Sequence, residues 1–219
     1  MTRWEPRQGV LMSRYSDTST GGLAEGGDDR PGLDELEPAV ELLLDDDADD
    51  DDDEDDYPDD ATEEDVDLVV ALYREDGQPV AVAIGVELAN DLDELIAQLR
   101  RLPGDGGAVG LVSIASEFFV LVRVRGKHVQ VLLSDELAAN DWPIARDVAD
   151  FLGSELPEDD EDAGPIGDLD IFADVGLPDF ELEALCDEDD DSDALVERIV
   201  KKLKYAPQYR KVVQASFGL

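Results

Sequence analysis

Between Asp45 and Asp60, 13 of 16 residues are acidic. No packed core takes in such a run, because each carboxylate must stay hydrated and too few apolar groups are left to offset chain entropy. The run sits in a longer acidic head: residues 1–66 carry 25 acidic and 4 basic side chains. The head is therefore expected to be a disordered acidic tail. One apolar island, Leu33 to Leu44, interrupts it with Leu36, Val40, Leu42, Leu43 and Leu44. It reads either as a helix that forms on a partner or as a transient helix in a solvated tail. A core has to come from the rest of the chain, and 42% hydrophobic residues are enough for one when the charge is unevenly spread.

The whole chain of 219 residues carries 58 acidic and 17 basic side chains, for a net charge of −41. Binding to DNA, tRNA or an anionic membrane through the bulk surface is thereby disfavoured, since phosphate neutralisation needs clustered Lys and Arg. One cysteine, Cys186, leaves no intrachain disulfide and fits a reducing cytosol. The N-terminus has no apolar segment of signal-peptide length, and the longest apolar runs, such as Val80 to Val86, are too short to span a bilayer. A cytoplasmic location is expected. Met12 is an alternative start.

From residue 67 the texture changes to regular alternation. Leu68, Val70 and Leu72 share one strand face, Asp76-Gly77 reads as a type I′ turn, and Val80, Val82, Ile84 and Val86 form the return strand. A helix from about Asp91 to Leu102 follows, with Leu92, Leu95, Ile96, Leu99 and Leu102 as its stripe. Asp91 and Glu94 make a capping-box-like start, and Pro103-Gly104 ends it. Three strands come next: Ala108–Ile114, Glu117–Arg125 and His128–Ser134. The second and third are joined by a Gly126-Lys127 type II′ turn, with Phe118, Val120, Val122, Val124, Val129, Val131 and Leu133 facing inward. Pro143 opens a helix that Gly153 closes. The order β-β-α-β-β-β-α predicts an α+β domain: an antiparallel sheet of about five strands, two helices over one face, and C-terminal helices after it. The division is an acidic tail at 1–66, the α+β domain at 67–153, an acidic linker with a docking segment at 154–177, and a helical segment at 178–219. Within the last, 178–187 and 192–215 read as helices.

Catalytic and metal-binding patterns fail one by one. His128, the single histidine, has no positioned partner and reads as a turn residue. Cys186 has no adjacent base and reads as a small buried hydrophobe. A zinc-dependent base deaminase needs H-x-E and P-C-x-x-C; His128 is followed by Val129-Gln130, and one cysteine cannot complete the set. Asp187, Asp189 and Asp191 imitate a calcium loop, but Ser192 replaces the required Gly and Arg198 stands at the twelfth position. Gly104, Gly106, Gly107 and Gly110 lie between a helix and a strand, the reverse of a dinucleotide loop. No enzyme activity, cofactor, metal or small-molecule substrate is expected.

Two features invite a partner. Arg123, Arg125 and Lys127 alternate onto the strand face opposite Phe118, and beyond Asp193 six basic residues face Glu197 alone. These are either an anion-binding patch or internal partners for the chain's own carboxylates. The segment Gly167 to Asp174 alternates acid and apolar residues, so Leu169, Ile171 and Phe172 either dock on a partner or tether the C-terminal helices. Trp142 is either an exposed contact or a core aromatic at a helix start. Leu169, Ile171, Phe172, Trp142, Arg123 and Arg125 are the candidate partner-binding residues.

Taken in order, these segments resemble a family of small acidic bacterial proteins, the tRNA adenosine deaminase-associated proteins. The likeness rests on Ala71-Leu72-Tyr73-Arg74-Glu75-Asp76-Gly77, Leu99 to Gly104, Gly106 to Ser113, Glu117 to Gly126, Leu133-Ser134-Asp135, Trp142 to Val148, Gly167 to Gly176 and Glu183 to Asp187. It runs from about residue 68 to the C-terminal helices and leaves out the acidic head. The resemblance implies a non-catalytic accessory protein whose partner is a tRNA adenosine deaminase, and it carries over no catalytic residue. The alternative readings are a generic acidic interaction module unrelated to deamination, a nucleic-acid binder using the basic C-terminal helices, and an enzyme of unrecognised type.

Overall fold

The computed structural model describes residues 57–104, 106–155 and 164–219. The Leu33–Leu44 island, the acidic run as far as residue 56 and the centre of the acidic linker lie outside the described residues. Six strands form one antiparallel sheet: β1 (Val66–Glu75), β2 (Gln78–Ala83), β3 (Ala108–Ile114), β4 (Phe118–Arg125), β5 (His128–Leu133) and β6 (Ile166–Gly167). Their order is β2-β1-β3-β4-β5-β6. Among the described residues five helices accompany them: α1 (Leu92–Arg101), α2 (Pro143–Leu152), α3 (Asp179–Cys186), α4 (Ser192–Lys202) and α5 (Ala206–Ser216).

Local chemistry accounts for most of these boundaries. Asp76 and Gly77 both take positive φ, 51° and 77°, as the type I′ turn between β1 and β2 requires. Asp91 caps α1 by accepting the Glu94 amide at 2.7 Å. Pro143 opens α2, and Gly153 ends it at φ 69°. The return strand is shorter than the alternation predicts: it stops at Ala83, and Val86–Ala89 winds into a 3₁₀ turn after Gly85. The sixth strand is an addition to the expected five. Gly167 pairs with Leu132 at φ 109°, where a Cβ would stand 2.2 Å from the Val131 carbonyl oxygen, so only glycine fits.

Both faces of the sheet are covered. On one face Val69, Ala71, Val112, Val120, Val122 and Val131 pack under α1 and α2. Gly110 opens room there, because a Cβ on it would meet the Leu99 side chain at 2.9 Å. Asp147 of α2 accepts the Leu92 amide at 3.0 Å and ties the two helices together. On the other face Leu68, Val70, Leu72, Leu111, Phe119, Leu121 and Leu132 pack under the C-terminal helices, which contribute Leu182, Leu195, Val196, Ile199, Val200 and Val213. Each such Leu, Ile or Val contributes about 1.5–3 kcal/mol by leaving water. The covering includes polar contacts: the buried hydroxyls of Ser113 and Ser192 meet at 2.7 Å, and Ser113 donates to Asp67 at 2.9 Å.

The stretch 192–215 is two helices rather than one. At the end of α4, Lys204 takes φ 68°. Its amide donates to the Lys201 carbonyl at 3.2 Å, and the Tyr205 amide donates to the Val200 carbonyl at 3.1 Å. This paired closure ends a helix on a left-handed residue. Pro207 enforces the break: continued as one helix it would lose a hydrogen bond and clash with the carbonyl four residues back, so it sits in the first turn of α5 instead.

Candidate functional site

Arg74 ends the regular part of β1, Val109 begins β3, and Arg123 and Arg125 end β4, so all four stand at the same end of the sheet. The register sets Leu72 beside Val109 and Val109 beside Arg123. Period-2 alternation turns these side chains toward the C-terminal helices. There the Leu203-Lys204-Tyr205 junction and the segment Phe172–Val175 close over them, leaving a cleft of about 700 Å³. Leu72, Val109, Phe172 and Leu203 form its apolar lining, and Gly106, Gly107 and Gly126 bring bare main chain to its wall. The charged residues described in the lining are Arg74, Arg123, Arg125, Lys204 and Asp174.

Electrostatics inside the cleft follow from who pairs with whom. Arg123 is 8% exposed. Its Nη1 donates to the Ile171 carbonyl at 2.5 Å and to Asp174 Oδ1, and its Nη2 donates to Asp174 Oδ2 at 2.9 Å. Arg125, which is more exposed, donates to the same Asp174 Oδ2 at 3.1 Å and to Gln130 Oε1 at 3.2 Å. The Arg123 hydrogen bond, reinforced by the charges of Arg123 and Arg125, holds the Asp174 carboxyl below its usual range. The Arg74 guanidinium lies 5.2 Å from the Tyr205 ring centroid and donates to the Gly77 carbonyl at 3.2 Å. Neither Arg74 nor Lys204 has an ion-pair partner among the described residues.

Five of the six candidate partner-binding residues gather near this cleft. Arg123, Arg125 and Phe172 line it, the Ile171 carbonyl holds Arg123, and Leu169 packs part-buried on the same core. Ile171 and Phe172 are almost wholly buried. Trp142 stands apart, on the other face of the sheet, half-buried with its ring centroid 6.1 Å from that of Phe118. Lys204 comes from the basic C-terminal run and Asp174 from the end of the Gly167–Asp174 segment, while Arg74 and Tyr205 carry no such mark in the sequence. The available signal was that Arg74 continues the Leu72 strand face, which arrives beside Arg123 only through sheet pairing.

Elsewhere the basic C-terminal run meets acids of its own chain. Arg198 pairs with Glu188 at 2.5 and 2.7 Å, Lys202 with Glu181, and Arg210 with Glu197 at 2.5 Å. Cys186 is half-buried, and burial, with Asp187 and Glu183 nearby, pushes its thiol up to about 12, far from a reactive thiolate at neutral pH. His128 is exposed at the start of β5. Among the described residues no group of His, Cys, Asp and Glu is arranged to hold a metal ion, and no helix is long and apolar enough to cross a membrane.

An antiparallel sheet between two helical layers, with an arginine-lined cleft at one end, defines a small three-layer α+β domain. The chain belongs to the Rv3753c-like tRNA adenosine deaminase-associated protein family, whose model matches residues 67–206. It is 38% identical over 148 residues to Protein Rv3753c of Mycobacterium tuberculosis, covering 66% of this chain and 86% of that relative. No solved structure matches it significantly.

Proposed function

We propose that this chain is a non-catalytic accessory protein that binds a tRNA adenosine deaminase in the cytoplasm and regulates it through protein–protein contact. The observation that supports this reading is the family match over residues 67–206, from β1 to the start of α5. The match takes in nearly the whole sheet and α1 to α4 and leaves out the acidic head, which supports placing specificity in the folded domain. Charge gives a physical rationale. A deaminase that grips tRNA needs a basic face, and a partner of net charge −41 complements such a face. The acidic head then adds attraction that salt screens first.

Size-exclusion chromatography with light scattering tests this on the full chain mixed with the tRNA adenosine deaminase of the same organism. A complex that forms at low salt and persists at moderate salt is the expected result. Separate elution at both salt concentrations would remove the reading and leave an interaction domain for another partner.

A further inference from the structure

We infer that the cleft between Arg74, Arg125 and Lys204 is a binding site for a small phosphorylated ligand of mononucleotide size. This inference does not depend on the deaminase reading. Among the described residues four cations and one carboxylate line the cleft, an excess of three positive charges among them, inside a chain of net charge −41. Asp174 shows what the arginines accept: its carboxylate takes both terminal nitrogens of Arg123 and one of Arg125. That single anion leaves Arg74 and Lys204 facing the cavity with no acid partner among the described residues. A dianionic phosphoryl group matches this surplus better than a second carboxylate, and guanidinium groups hold it in the same forked geometry.

Size and lining narrow the ligand further. The cavity of about 700 Å³ falls within the range of small-molecule sites, roughly 300–1,000 Å³. Its apolar lining from Leu72, Val109 and Leu203, beside the Tyr205 ring, suits an organic body attached to the phosphate. At Gly126 a Cβ would stand in open space, so its absence leaves the main chain there bare, whereas at Gly107 a Cβ would meet the Val124 carbonyl oxygen at 2.1 Å. A long polyanion is disfavoured by the repulsion of a chain whose net charge is −41. A ligand that fits inside feels mainly charges within a Debye length, about 8 Å at physiological salt.

Isothermal titration calorimetry on the full chain tests the assignment with adenosine monophosphate, inorganic phosphate, adenosine and a hexa-aspartate peptide as probes. Adenosine monophosphate is expected to bind, inorganic phosphate more weakly, and adenosine more weakly than either. Arg74→Gln and Arg125→Gln change exposed side chains, and each should weaken binding about tenfold. Amide chemical shifts of Gly106, Gly107 and Gly126 should move on titration in the wild type. Absence of binding by both phosphate probes at millimolar concentration would overturn the inference, as would equal affinity in the wild type and both variants. Binding of the peptide without either phosphate probe would also overturn it, and would mark the cleft as a docking site for an acidic protein segment.

Discussion

Arg123 and Asp174 form an ion pair whose halves differ in exposure: the arginine side chain is 9% exposed and the aspartate 49%. Removing the acid therefore hurts mainly through the buried cation it abandons, which keeps only the Ile171 carbonyl as an acceptor. With half of Asp174 in water, Asp174→Asn should cost about 1 kcal/mol. The pH dependence has a defined sign. A carboxyl whose pKa is lower in the folded chain contributes stability that is complete above its unfolded value and is lost as pH falls toward the folded one. Asp174 is such a group, lowered from 3.8. In urea denaturation the difference between wild type and Asp174→Asn should hold steady from about pH 5 to 8 and narrow progressively as pH falls below 3.8. A gap that does not narrow on acidification below 3.8 would mean that the pair is not what Asp174 contributes.

At the scale of elements, two helices end by the same closure with different residues. α2 ends on Gly153 at φ 69° and α4 on Lys204 at φ 68°. Glycine adopts that conformation freely, whereas a residue with a Cβ pays roughly 1–2 kcal/mol for it. Lys204→Gly should therefore stabilise the chain by about 0.5–1 kcal/mol after the extra freedom of glycine in the unfolded chain is counted. Scanning calorimetry should show a midpoint raised by about 1–4 °C, and an unchanged or lower midpoint would contradict a left-handed Lys204. The less favourable residue at this helix end is also one that lines the cleft. Gly153 shows that the closure itself does not need it.

Over the whole molecule, charge imbalance opposes compaction. With 58 acidic and 17 basic residues, screening removes more repulsion than attraction. The Debye length shrinks from about 20 Å at 20 mM salt to about 4 Å at 0.5 M. The thermal midpoint of the full chain should therefore rise with sodium chloride over this range, although its surface ion pairs, such as Arg198–Glu188, individually weaken. A falling midpoint would mean that these pairs outweigh the net repulsion.

Strand and helix identity lay in near neighbours along the chain. Alternation marked the strands from β1 to β5, Asp76-Gly77 and Gly126-Lys127 marked their turns, and Asp91, Pro143 and Gly153 marked helix ends. Those signals act over two to four residues, so they survive without knowledge of the fold. The two-sided core was half visible: Phe119, Leu121 and Leu132 are apolar on the strand face assigned to the arginines, the mark of a sheet buried on both sides. The break between α4 and α5 was signalled by Pro207, but the apolar stripe masked it. The cleft carried no such signal. Arg123 meets Asp174 across 51 residues, and Arg74 meets Tyr205 from the far end of the domain. Sequence determined which residues carry charge and on which strand face they stand. Only sheet register and the return of the C-terminal helices decided which of those charges share one cavity, because that proximity is set by packing between distant segments and by no local pattern.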